Sequence, residues 1–196
     1  PPYHSAMGIM QFDVADLALL ESSNRLNDVI LHEMGHVLGF GTLWNFDPFP
    51  GVAPPNALLT GPGTGDPVFN GGATRSAFIA AVAPGRIFTG TPVPVENSGG
   101  SGTRDSHWRE AIFTTELMTG FISAAGVQSP FSAFSAATFR DLGYVVNDAV
   151  SDPYTFLATL MAGAEGAMFE LREEKMSVPI VVKNRQGRTV ARIPRQ

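Results

Sequence analysis

The chain of 196 residues contains no cysteine, only 4 histidines, and charged side chains at only 16% of its positions. Without cysteine there are no disulfides, no thiolate metal ligands and no thiol nucleophiles, a composition equally at home in the cytosol and in many secreted proteins. No apolar run approaches the ~20 residues that a membrane-spanning helix needs. The opening Pro1-Pro2-Tyr3-His4 has neither the basic start nor the apolar core of a signal segment. Basic residues are also short: 13 Lys and Arg stand against 18 Asp and Glu, for a net charge of -5, which excludes a nucleic-acid surface built on clustered cations. There is no internal repeat and no low-complexity tract. At 44% hydrophobic residues, the chain is too apolar for intrinsic disorder and long enough to bury one core.

Glycine and proline are unevenly spread. Residues 42 to 106 hold 11 of the 21 Gly and 9 of the 15 Pro, so this third of the chain is mostly turn and loop. Charge divides elsewhere: residues 1–163 carry 6 basic and 14 acidic side chains, residues 164–196 carry 7 and 4. The basic tail, 164–196, is therefore a compositional unit of its own. Periodicity and capping predict a short strand at Gly8 to Phe12, a brief helix around Leu17 to Leu20, and a stronger helix from an Asn27 cap to Gly39. Apolar Ile30, Met34, Val37 and Leu38 occupy so much of that helix that it is expected to be buried. A helix is predicted over Thr74 to Val82, an extended segment over Pro92 to Glu96, a capped helix over Ser135 to Leu142, and a helix start at Asp152-Pro153. In the tail, Val178 to Val182 and Arg188 to Ile193 flank Asn184-Arg185-Gln186-Gly187 as a hairpin. The class is α+β.

The chemistry is concentrated in His32-Glu33-Met34-Gly35-His36. Histidines four apart stack on one helical face and reach one metal ion, with the intervening glutamate beside a metal-bound water. Chance produces this pattern on the order of 0.004 times in such a composition. A purely structural reading leaves three polar groups on an apolar helix with no obvious partners, and a structural zinc site is usually closed by the cysteines this chain lacks.

Two ligands do not complete a site. The common pattern H-E-x-x-H-x-x-G-x-x-H is matched through Gly39, but its last position is Thr42. Two histidines remain, His4 and His107. If Gly39 turns the chain away, residues 40–106 form a 67-residue excursion and His107 restores the third ligand. Asp47, Glu110 and Glu116 compete for the role as carboxylates, although Asp47 before Pro48 also suits a turn and the two glutamates suit support of a ligand histidine.

Taken in order, His32-Glu33-Met34-Gly35-His36-Val37-Leu38-Gly39-Phe40, Ser106-His107-Trp108, Glu116-Leu117-Met118-Thr119-Gly120 and Asp141-Leu142-Gly143-Tyr144 resemble the leishmanolysin-type (M8) metallopeptidases, more closely their bacterial relatives, over roughly residues 6–148. The resemblance implies a metzincin-type zinc peptidase domain over 1–163 with three parts. These are a strand and zinc-binding helix (1–39), a loop-rich insertion (40–106), and a segment bearing the third ligand, methionine turn and final helices (107–163). It implies one catalytic Zn2+ on His32, His36 and His107, Glu33 as general base, Met118 as the turn methionine, and a secreted or cell-surface endopeptidase. By itself Met118 reads as core, and Trp108 as packing. The family's domain starts upstream of a strand such as Gly8 to Phe12, so the chain is expected to lack the first strands, and the disulfides of the protozoan members are absent.

A peptide substrate is expected to bind extended, along the edge of the Gly8 to Phe12 strand. Asp47, Asp66, Asn70, Glu96, Asn97 and Asp105 are weak candidates for a Ca2+ ion in the excursion, without the spacing of a known calcium loop. His4 is expected to be exposed. A surface or adhesion module that keeps the zinc fold without turnover is the competing function, and retention of Glu33 favours the enzyme.

Overall fold

The computed structural model describes residues 4–45, 57–81, 92–155, 169–171 and 179–193. Asp13 caps the first helix, α1 (Val14–Ser22), by accepting from the Ala15 N–H at 2.9 Å. A tight turn follows, in which Arg25 N–H returns to the Leu20 carbonyl, and α2 (Leu26–Leu38) begins there. Its start is thus set by the turn from α1, with Arg25 at the cap position and Asn27 already inside the helix. Asp28 supplies an acid to the first turn, and Gly39, at φ 120°, ends the helix.

The excursion contributes a small antiparallel sheet, β1 (Leu59–Thr60), β2 (Val68–Phe69) and β3 (Val93–Pro94), in that order, and α3 (Gly72–Ala81). A short α4 (Glu110–Phe113) and β4 (Phe121–Ile122) follow, and β4 pairs with β5 (Phe169–Glu170). Ser132 caps α5 (Ala133–Asp141). At the far end of α5 the Asp141 carboxylate accepts from the Ala73 and Thr74 amides and the Thr74 hydroxyl at 2.7–2.9 Å. An anion thereby meets the unsatisfied N–H groups that open α3 and locks the two helices together.

Between these elements lies an aromatic core. Trp108 is fully buried, with the rings of Phe40, Trp44, Phe69, Phe113 and Phe134 at centroid distances of 5.0 to 6.2 Å. Packing, as expected for Trp108, is what the indole does, with its N–H satisfied by Ser135 Oγ at 2.7 Å. The tail hairpin is present as β6 (Ile180–Lys183) and β7 (Thr189–Ile193). Its turn is held by Asn184, whose side chain accepts from the Gln186 and Arg188 amides. Val178 lies outside the described residues.

Three expectations are corrected. Gly8 to Phe12 is irregular rather than a strand, with Met7 and Ile9 exposed at 84% and 61%. A strand is made by the partner beside it, and no described strand pairs with this segment. It packs instead through Gly8 onto Val37 of α2, so the edge expected to receive an extended peptide is not there. Second, α2 is not buried all round: Val29, His32 and Gly35 face inward while Leu31, Met34 and Leu38 are 41–47% exposed. The inward stripe carries Val29 and the histidines, while Leu31, Met34 and Leu38 fall on the outer face. Third, Asp152-Pro153 does not start a helix through residue 155, because Asp152 is engaged with Phe131, its carboxylate accepting from the Phe131 N–H and its own N–H donating to the Phe131 carbonyl. Residues 156–168 lie outside the described residues. Among those described, no helix is long and apolar enough to cross a membrane.

Candidate metal centre

The helical repeat of α2 stacks His32 and His36 one turn apart, with their Nε2 atoms 2.9 Å from each other. His107 arrives from a different part of the chain. Its segment is held on one side by the β3 strand, Glu96 N–H donating to the His107 carbonyl and Arg109 N–H to the Pro94 carbonyl. On the other side Trp108 N–H donates to the Met118 carbonyl at 2.9 Å. So placed, His107 Nε2 lies 3.1 Å from that of His32 and 3.0 Å from that of His36. His32 and His107 are fully buried, and His36 is partly so.

The other nitrogen of each ring decides its protonation. His32 Nδ1 lies 2.6 Å from the Leu117 carbonyl, His36 Nδ1 3.0 Å from that of Phe40, and His107 Nδ1 2.9 Å from that of Thr103. A carbonyl only accepts, so each Nδ1 carries the hydrogen, and in its neutral form each ring turns a lone pair inward at Nε2. Three lone pairs about 3 Å apart in a buried place repel one another unless a cation sits among them. A tetrahedral zinc with Zn–N of about 2.0–2.1 Å spaces its ligand nitrogens about 3.3 Å apart, so the set fits such an ion to within a few tenths of an ångström. This trio is the one group of its kind among the described residues.

Met118, fully buried, presses on α2 from below at Gly35: a Cβ there would stand 2.8 Å from its Cε and 3.0 Å from its Sδ. The glycine between the histidines is therefore what lets the methionine lie flush under the ring pair. Glu33 is partly buried on the same turn of α2. Past the helix, Thr42 does not face the centre as a ligand; its hydroxyl donates to the His36 carbonyl at 2.9 Å. Gly41, at φ 66°, lies so close beneath the third-histidine segment that a Cβ would collide with the Ser106 carbonyl oxygen. The excursion thus leaves and returns at one crossing.

Among the described residues, the competitors Glu110 and Glu116 do not join the trio. Asp47 lies outside the described residues. Glu116, fully buried, accepts from the Met118 and Ser132 amides and from the Ser132 and Ser135 hydroxyls at 2.5–3.0 Å. Burial raises its pKa, with those four bonds pulling against the shift. The calcium candidates are likewise dispersed. Asp66 pairs with Arg109, Glu96 accepts from Asn97, Ser98 and Glu110, and Asp105 accepts from Gly63. Asn70 and Asn97 donate to Thr60 and Gly65. Among the described residues no group of them converges, and a calcium site has no support. His4 is exposed and stacks on Tyr144 at 4.5 Å.

Glu110 has a different burden. One of its carboxyl oxygens is buried without a hydrogen-bond partner. Burial first, and then the nearby Glu96, push its pKa up from 4.5 to about 7, against a hydrogen bond from Thr119. The folded protein therefore keeps a proton here that the unfolded chain has already lost. Stability on this account is full below the ordinary carboxyl value and declines as pH rises through about 7. The decline is on the order of 2 kcal/mol after allowance for solvent screening. Melting curves from pH 5 to pH 8 should show this fall in the parent and a flatter profile in Glu110→Gln; parallel profiles would refute the assignment.

The three carbonyls that orient the rings have no counterpart in the sequence, whereas Glu116 stands there as a support for a ligand histidine. Backbone acceptors leave no trace in residue identity. The two serines that bind Glu116 leave only a faint one, at the start of a helix. The family model described as leishmanolysin, peptidase M8, matches residues 2–152. No curated protein and no solved structure matches the chain.

Proposed function

From the premise that this chain belongs to the leishmanolysin family of peptidases, we propose that it is a zinc-dependent endopeptidase of the metzincin type, held on His32, His36 and His107 with Glu33 as its catalytic base. The observation that carries the reading is the convergence of three Nε2 lone pairs within 3.1 Å. Zinc bound there supplies a Lewis acid and a water whose pKa is lowered to roughly 7. The protein's own part is to keep all three imidazoles neutral, which leaves the ion its full charge. The Glu33 carboxylate takes the proton of the attacking water and returns it to the departing amine. Met118 backs the ring pair from below and serves as the methionine of the turn. Residues 1–163 form the catalytic unit, with 40–106 as an insertion, and 164–196 form a basic tail carrying the hairpin. Its substrates are proteins or peptides, met outside the cell or at its surface.

Elemental analysis of the purified chain beside a casein digestion tests this. One zinc per chain is expected, together with hydrolysis that a chelator abolishes and added zinc restores. A chain that neither retains nor takes up a transition metal overturns the reading, and one that binds zinc without any hydrolysis favours the adhesion module.

A further inference from the structure

The buried carboxylate of Glu116 takes no part in the chemistry above, yet it joins the Met118 turn to the start of α5 and, through Ser135, to Trp108. Its Oε2 accepts from the Met118 amide at 2.6 Å, and its Oε1 accepts from the Ser132 amide, Ser132 Oγ and Ser135 Oγ. Ser135 in turn accepts from the indole N–H of Trp108, the residue after His107. Between Glu116 and Met118 stands Leu117, whose N–H is held by the Pro130 carbonyl and whose own carbonyl receives His32 Nδ1–H at 2.6 Å. The carboxylate therefore clamps both ends of a three-residue turn whose middle carbonyl orients a ligand ring.

We propose that Glu116 is a positioning residue of the metal centre, which holds the Leu117 carbonyl under His32 and so fixes the direction in which His32 presents its Nε2. The proposal rests on the reading of His32, His36 and His107 as ligands. The donor set explains why a carboxylate stands there. Two of the four partners are backbone N–H groups that only donate, and the Ser135 hydroxyl, already accepting from Trp108, has its hydrogen free to give. A site offering donors to both oxygens requires an acceptor at both. An amide cannot satisfy it, since its NH2 faces either the Met118 or the Ser132 N–H, and a buried donor facing a donor forces the turn to move. The nearest carbonyl to move is that of Leu117, and with it His32.

The test compares the parent chain with Glu116→Gln, Ser135→Ala and Phe78→Leu. Phe78 is buried between Phe113 and Phe134, makes no hydrogen bond in the cluster, and serves as a control for lost packing. Each variant is measured for zinc affinity by competition with a chromogenic chelator, for the visible absorption of its cobalt-substituted form, and for melting temperature. Glu116→Gln should weaken zinc binding ~10- to 100-fold, the range for a lost partner of a ligand, and alter the cobalt bands at temperatures where the chain is folded. Ser135→Ala should shift both in the same direction by less. Phe78→Leu should lower the melting temperature with cobalt bands unchanged. Parental affinity and bands in Glu116→Gln overturn the proposal, as does a Phe78→Leu variant that loses zinc to the same degree. If Glu116→Gln does not fold, Ser135→Ala decides, and parental values there overturn it. A parent chain that binds neither zinc nor cobalt defeats the ligand assignment itself, and the proposal falls with it; a parent that binds both leaves the variants to judge Glu116 alone.

Discussion

Replacing Glu33 with Gln is expected to lower peptide hydrolysis by ~10²- to 10⁴-fold, the usual contribution of a positioned general base, while zinc content and melting temperature stay near those of the parent. The change is almost isosteric. Glu33 lies on the same turn of α2 as His32 and His36, so the helix still delivers both rings, and the three ring-orienting carbonyls at Leu117, Phe40 and Thr103 are untouched. What disappears is the site that takes a proton from water and hands it on. Steady-state hydrolysis of a fluorogenic peptide at saturating substrate, with zinc measured on the same sample, separates this from loss of metal. Turnover equal to the parent's would remove Glu33 from the mechanism.

His107→Ala should cost the most in metal affinity. A ligand contributes directly where its outer partners contribute only through orientation, so the loss should exceed the ~10- to 100-fold typical of such partners and approach ~10³-fold or more. Glu110→Ala should change zinc affinity little. Glu116→Ala should fall between, because its effect reaches the ion only by way of Leu117 and His32. Chelator competition on the four proteins ranks them. A glutamate variant that loses the metal while His107→Ala retains it would reverse the ligand assignment.

The parts of this centre that depend on short-range geometry were legible in the sequence. His32 and His36 need only a helix, and the helix is announced by the acid of its first turn, Asp28, and its glycine stop. The glycine-rich excursion could also be seen, and with it the need for a distant third histidine. What stayed hidden depends on contacts between remote segments. The carbonyls of Leu117, Phe40 and Thr103 are ordinary until the fold sets them beside imidazoles. Gly8 to Phe12 has strand-like residues, but a ladder requires a neighbour, and here the segment rests on Val37 instead. The apolar residues of α2 suggested burial because composition does not say which face looks inward. Met34 and Leu38 look outward because the inner stripe holds the rings.

The crossing of Gly41 and Ser106 gives the centre a place in the order of folding. His32 and His36 come together as soon as one helix forms, on the order of a microsecond. His107 joins only when the intervening chain closes on itself, and contacts this far apart in sequence form late. The cost of closure grows only as the logarithm of loop length, so the crossing tolerates a long excursion, but it leaves no room for a side chain at the pinch. Before closure the ion meets two histidines, and after it three. If this closure follows the main barrier, zinc held by all three would stabilise the closed form by mass action without stabilising the transition state. It should therefore slow the opening of the protein much more than it speeds its folding, and the bound ion would serve as a latch on the native state as well as a reagent.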